Sequence, residues 1–290
     1  MYNKLVLSGG AKRGILTLGA LDYIYDKYPE HVSNIDTYIG CSVGAIFSYL
    51  LILGYKPCDI LIKLITKEFF CKYKHIDFLK LSKCEGAYDW NLSGDLLRYL
   101  TNDKYNREFT LKELYEEFGK KLVCITYNYT KQEEEVLSYE THPDLSCIDA
   151  LHMSSCIPLL FERFEYKSNH YIDGAIINNF PINLLEEDDK ALAINCTKIY
   201  LNDDKNINIS TFLNHMSSLV IINNVKNNAG SAVSASTDGD RIMGGTTIHL
   251  IQTSGTFRVG EAITSNITTD LASANRTVHA CTFMNRACCI

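Results

Sequence analysis

The sequence predicts an α/β chain with a parallel, layered architecture, and two observations carry the prediction. Two units of strand, glycine-rich turn and helix follow one another directly within residues 4–54, the succession that builds a parallel sheet covered by helices. At 290 residues and 46% hydrophobic, the chain is also long enough to bury one large core without disulfides or metal. One α/β domain spanning residues 1–290 is therefore expected, with its core over about 3–200 and residues 201–290 completing or decorating it. No internal repeat and no low-complexity linker divides it.

The elements follow in order. Residues 4–8 read as a short strand, 9–14 as a glycine-rich turn, and 15–28 as a helix with Leu16, Leu18, Leu21, Ile24 and Tyr25 toward the core. Tyr38 and Ile39 end a second strand, residues 40–44 turn, and 45–53 continue as an apolar helix closed by Gly54. Residues 57–70 give another helix, and 72–106, mixed in charge and aromatic content without a clear period, read as an insertion or lid. An amphipathic helix at 111–118 leads into a strand at 121–127, paired with 135–139. Residues 147–155 form a helix stopped by Pro158. Residues 161–166 and 170–172 alternate as a hairpin around Lys167, Ser168 and Asn169, which puts Asp173 and Gly174 at a strand end. Then come a strand at 191–196, a polar loop at 202–208, a helix at 211–224, a strand at 247–252 and a Thr/Ser/Ala-rich helical tail.

Composition narrows the function. A net charge of -6 with no long basic tract argues against a nucleic-acid partner, because phosphate binding rests on clustered Lys and Arg. Eleven cysteines with no CxxC pair sit largely in apolar stretches, as at Cys124 and Cys196, where thiols act as small hydrophobes, so a reducing compartment is expected. The first twenty residues lack the layout of a signal peptide, since Ser8, Gly9, Gly10, Lys12 and Arg13 break the apolar run. A cytoplasmic protein able to work peripherally at a membrane is the expectation. Residues 37–55 carry no charge, but three glycines interrupt them, and a strand, a tight turn and a buried helix explain them better than a transmembrane span. Cys288 and Cys289 are candidates for acylation, although the last four residues do not begin with the cysteine that prenylation requires.

Three pieces carry chemistry. In Gly40-Cys41-Ser42-Val43-Gly44, a G-x-S-x-G turn between strand and helix, small residues two before and two after the serine permit a sharp bend that exposes its hydroxyl. The helix that follows directs free N–H groups at developing negative charge. In Gly9-Gly10-Ala11-Lys12-Arg13-Gly14, backbone N–H groups can approach an oxyanion because little side chain intervenes. A nucleotide loop is the weaker reading there, since no Gly-Lys-Ser/Thr closes it and Ala11 stands where a dinucleotide fingerprint wants glycine. In Asp173-Gly174-Ala175, followed by Asn178-Asn179-Phe180-Pro181, the aspartate taken alone reads more often as a turn former than as a base. Of eight histidines, His249 and His279 come late enough to complete a Ser-His-Asp order, yet neither stands in a recognisable turn motif. No His/Cys cluster has metal-ligand spacing, and no metal or cofactor is expected.

These pieces in this order, with Ser154-Ser155-Cys156-Ile157-Pro158 shortly before Asp173, resemble the patatin-like phospholipase family from Leu5 to about Pro181. The resemblance implies a three-layer α/β/α fold with a mostly parallel central sheet. It also implies a Ser–Asp dyad without histidine, acting on acyl esters of phospholipids, galactolipids or neutral lipids at a membrane surface. By position, Ser42 would be the nucleophile and Asp173 the base. Gly9, Gly10, Ala11, Lys12, Arg13 and Gly14 would form the oxyanion loop, with Gly40, Cys41, Val43 and Gly44 as the elbow and Gly174 and Ala175 completing the Asp-Gly-Ala turn. Ala11 takes a place where the family often has glycine, and its methyl bears on the loop geometry. Lys12 and Arg13 could draw a lipid phosphate, or Arg13 could tie the loop down through carboxylate or carbonyl contacts. Phe70, Tyr73, Phe78, Tyr88 and Trp90 could rest on a lipid interface or pack in the core. Two other readings stay open at this point: a Ser-His-Asp esterase, and a non-catalytic lipid-binding or interaction protein on the same fold.

Overall fold

The computed structural model describes residues 1–66, 86–186, 188–198, 246–252 and 278–282. The expected helix at 211–224, the loop at 202–208, the aromatics Phe70, Tyr73 and Phe78, and the cysteines Cys288 and Cys289 lie outside them, as does the side chain of Lys12.

The chain runs β1 (Lys4–Leu7), α1 (Gly14–Lys27), α2 (Pro29–Val32), β2 (Thr37–Cys41), α3 (Val43–Ile52), α4 (Pro57–Thr66), α5 (Asn91–Tyr105) and α6 (Leu111–Phe118). It continues through β3 (Lys121–Asn128), β4 (Glu133–Leu137), α7 (Cys147–Ser155), β5 (Phe164–Tyr166), β6 (Asn169–Asp173), α8 (Ala175–Asn178), β7 (Ala191–Lys198), β8 (Thr246–Gln252) and β9 (Val278–Thr282). The strands form one sheet in the order β5-β6-β3-β2-β1-β7-β8-β9, with β4 also on β3. Its centre, β3-β2-β1-β7, is parallel, and the flanking pairs are antiparallel. The expected α/β class with a parallel central sheet is therefore what the chain adopts.

Alternation along the central strands explains why both faces must be covered. Leu5, Leu7, Tyr38, Leu122, Cys124, Leu192 and Ile194 turn to one face, where they meet Leu18, Leu21, Phe47, Leu50 and Leu151 from the helices. Val6, Ile39, Val123, Ile125 and Ala193 turn to the other, beneath Ala175 and Phe180. Each fully buried Leu, Ile or Phe is worth roughly 1.5–3 kcal/mol, so the central strands are the most firmly held part of the chain.

Several boundaries differ from the sequence expectation for identifiable reasons. α5 lies inside the stretch read as an insertion or lid; Leu96, Leu97 and Leu100 are its buried stripe, which the flanking Ser93, Asp95 and Thr101 obscure in sequence. Trp90, before α5, is buried, stacks on His152 at 3.9 Å and donates to Ser155 Oγ at 2.9 Å, which makes it a packing residue. The tail expected to be helical contains β9, whose partner is β8, and strand pairing of that kind is invisible to local pattern. β4 begins two residues earlier than its alternation suggested. Residues 37–55 form β2, a turn and α3, a helix of 10 residues. Among the described residues no helix is long and apolar enough to cross a membrane.

The parallel register aligns the carboxyl ends of the central strands. Leu7 faces Gly40 and Ile194, Cys41 faces Ile125, and Asp173 faces Thr126 across the neighbouring antiparallel pair. The chain leaves β1 toward β2 on one side while β7 returns on the other, and the crevice at such a switch point is where open α/β sheets bind ligands.

Candidate active site

Ser42 closes β2 and opens α3 with its backbone at φ 54 and ψ -127. A non-glycine residue held there carries strain of about 1–3 kcal/mol, so its surroundings must fix it. They do so from both sides. The Ser42 N–H donates to Ser154 Oγ at 3.0 Å, Ser154 Oγ donates to the Ile125 carbonyl at 2.7 Å, and the Ser42 carbonyl accepts the Ala45 N–H at 3.0 Å. A methyl at Gly44 would overlap the carbonyl oxygens of Leu7 and Ser8, so only glycine lets the first turn of α3 close on the end of β1.

The Ser42 hydroxyl donates to Asp173 Oδ2 at 2.6 Å across 131 residues of sequence. Asp173 is the last residue of β6 and is 1% exposed. Its other oxygen accepts the Ala175 N–H at 2.8 Å, and its own N–H donates to the Cys156 carbonyl at 3.0 Å. Burial pushes the Asp173 carboxyl up to about 6, while the bonds from Ser42 and Ala175 pull it back. The buried Cys41 thiol lies 4.0 Å from Asp173 Oδ1, and burial raises its pKa well above the usual thiol range, so it stays neutral.

The glycine-rich loop lies against the same serine. A methyl at Gly9 would sit 3.1 Å from Ser42 Cβ and would overlap Asn179 Oδ1. Within the loop the Gly9 N–H donates to the Asn179 carbonyl at 3.1 Å, the Arg13 N–H to Gly10 O at 3.0 Å, and the Gly14 N–H to Ala11 O. The N–H groups of Gly10 and Ala11 donate to no acceptor among the described residues. Ala11 holds φ 47, the left-handed conformation that favours glycine. Arg13 Nε reaches the Gly10 carbonyl at 3.5 Å, and the Cys196 thiol donates to the Arg13 carbonyl at 3.3 Å, so the loop is tied from within and from β7.

The structure thus brings the three sequence pieces to one place. Gly40 and Cys41 end β2, Val43 and Gly44 begin α3, and Gly174 with Ala175 turns into α8. Among the described residues it brings no histidine side chain there. His142 bonds Glu135 at 3.0 Å, His152 stacks on Trp90, and among the described residues the partners of the Asp173 carboxylate are Ser42, Ala175 and Cys41. His249 and His279 lie on β8 and β9, and β8 is three strand spacings from β2, about 14 Å across the sheet. Two contributors were not assigned a role from sequence. Ser154, which supports the Ser42 N–H, stood within a quoted segment, and Asn179, which bonds Gly9, next to a turn, but neither has a local signal of that burial. Among the described residues no group of three His, Cys, Asp or Glu side chains is placed to hold a metal ion.

A cleft of about 150 Å³ opens beside Ile172, whose side chain alternates with that of Asp173 along β6, with Tyr129, Pro158, Leu159 and Phe161 on its walls and the exposed Arg163 among them. Leu159 is 46% exposed and holds φ 69, an unusual conformation for a bulky side chain.

Comparison with known proteins places these features in context. A family model described as patatin-like phospholipase matches residues 5–186. A protein named probable lipid hydrolase 463L, from Invertebrate iridescent virus 6, is 36% identical over 192 residues, which are 63% of this chain and 63% of that protein. The match thus spans less than two thirds of that relative. Uncharacterized protein R571 of Acanthamoeba polyphaga mimivirus is 26% identical over 234 residues, 79% of this chain and 77% of its own. Among solved structures, VipD from Legionella pneumophila aligns with a TM-score of 0.43 at 20% identity over 64% of this chain and 48% of its own.

Proposed function

The chain belongs to the patatin-like phospholipase family, and on that premise we propose that it is a serine acyl hydrolase that cleaves the acyl esters of lipids through Ser42 and Asp173. The observation that carries the reading is the 2.6 Å bond from Ser42 Oγ to a buried carboxylate, with a glycine loop packed on the same serine.

In the proposed reaction Asp173 accepts the Ser42 proton as Oγ attacks the ester carbonyl. A carboxylate raised to about 6 is still ionised at neutral pH but is a much better base than an exposed one at about 3.9. The carbonyl oxygen takes up negative charge against the N–H groups of Gly10 and Ala11, with that of Val43 at the start of α3 beside them. The tetrahedral intermediate collapses, the alcohol leaves with the proton from Asp173, and an acyl-Ser42 ester remains for water to hydrolyse. No step in this scheme calls on a histidine. The expected setting is the cytosolic face of a membrane, in keeping with cysteines that are free and mostly buried among the described residues.

The test is release of fatty acid from mixed phospholipid vesicles by the wild type, Ser42→Ala and Asp173→Asn, with chelator present. Loss in both variants with folding retained is the expected result. Activity that survives Asp173→Asn would point to another base, and a wild type that neither releases fatty acid nor reacts with a fluorophosphonate would leave a non-catalytic lipid-binding protein.

A further inference from the structure

Asn179 has no place in the scheme so far, and its surroundings are unusual. It is 3% exposed, and its backbone carbonyl accepts the Gly9 N–H at 3.1 Å while its Nδ2 donates to the Gly9 carbonyl at 3.4 Å. Those two bonds grip Gly9 from both ends and settle the amide orientation, because turning it over would set two oxygens against each other. Among the described residues, Oδ1 is then left buried without a hydrogen-bond partner. A buried amide oxygen left unpaired costs about 1–3 kcal/mol, and a chain keeps such a group where something else satisfies it. The place is informative: a methyl built on Gly9 would meet both Asn179 Oδ1 and Ser42 Cβ, so the unpaired oxygen and the side chain of the nucleophile flank the same glycine.

We propose that Asn179 is a catalytic residue of the second half-reaction, whose Oδ1 accepts a hydrogen bond from the water that hydrolyses acyl-Ser42. The inference rests on the Ser42–Asp173 reading above. When Ser42 is acylated its hydroxyl proton is gone, and the attacking water takes over the bond to Asp173. One O–H of that water gives its proton to Asp173 Oδ2 as the oxygen attacks the acyl carbon. The other O–H points to Asn179 Oδ1, which fixes the attack direction. The tetrahedral intermediate then breaks its bond to Ser42 Oγ, which recovers the proton from Asp173, and the free acid departs. Acylation needs no such water, so the two halves of the cycle depend on Oδ1 unequally.

The experiment is pre-steady-state hydrolysis of p-nitrophenyl butyrate by the wild type, Asn179→Leu and Asn179→Ala, with mass analysis of the quenched protein. The expected result is a burst of nitrophenol stoichiometric with enzyme and accumulation of butyryl-Ser42 in both variants. Deacylation should fall tenfold or more while acylation changes by less than about threefold, and added hydroxylamine, a nucleophile that needs less orientation, should restore turnover. The smaller alanine guards against a leucine variant that does not fold. If Asn179 only clamps the Gly9 loop, both half-reactions slow together and no acyl-enzyme accumulates, which overturns the proposal while leaving the Ser42–Asp173 reading intact. A wild type that forms no acyl-enzyme with any ester overturns both.

Discussion

Replacing Asp173 by Asn should make the protein more stable while abolishing its activity, and the gain should depend on pH. The carboxyl is raised from an ordinary value of 3.8 to about 6. At 1.36 kcal/mol per unit, the ionised carboxylate destabilises the native state by about 3 kcal/mol at pH values well above 6. The sign follows from the direction of the shift: the stability contributed by Asp173 is fully present below the unfolded value near 4 and is lost as the pH rises through 6. Asparagine has no charge to bury. Its oxygen can still accept the Ala175 N–H and its amide can donate to Ser42 Oγ. The stability gap between variant and wild type should therefore widen by about 2 kcal/mol between pH 4.5 and 7.5, the share of the total that falls in that window. Urea unfolding followed by the fluorescence of Trp90, the single tryptophan, measures it, because that ring is buried against His152. His152, whose burial lowers its pKa to about 4, is common to both proteins and cancels in the difference. Activity should fall by about 10²–10⁴-fold, the usual contribution of a general base. A gap that does not change with pH, or a variant less stable than wild type at pH 7.5, would refute the argument that Asp173 is a desolvated base.

Three further outcomes follow from the same geometry. The acylation rate of the wild type should rise with pH through an apparent value near 6 and then level off, and a profile flat from pH 5 to 8 would exclude a single carboxylate base. Ser154→Ala removes the acceptor of the Ser42 N–H and the donor to Ile125, so unfolding stability should drop by about 1–3 kcal/mol and kcat with it; a variant with wild-type kcat would show that the elbow holds its shape without this bond. Ala11→Gly relieves a left-handed conformation worth about 1–2 kcal/mol against an unfolded-state cost of about 0.4–1 kcal/mol, so the melting temperature should rise slightly with activity retained, and a clear fall would mean that the methyl makes a contact the loop requires.

Local chemistry determined much of this protein from sequence alone. Glycines at fixed spacing, a strand before and an apolar helix after marked both turns, because backbone conformation there depends on the residues within the turn itself. The hairpin around Lys167, Ser168 and Asn169 is also legible from its alternation, while the structure narrows its turn to Lys167 and Ser168, with φ values of 46 and 62, and starts β6 at Asn169. The base could not be chosen in that way. Asp173 reads as a turn former or a base and His249 and His279 stay open in sequence, and only the sheet order shows that β6 lies beside β3 and the two late strands at the opposite edge. The raised carboxyl, the Ser154 support under a strained Ser42 and the unpaired oxygen of Asn179 were likewise decided only by tertiary structure. Each depends on which distant groups exclude water or supply a partner, and desolvation and hydrogen-bond satisfaction are properties of the closed fold rather than of any stretch of chain.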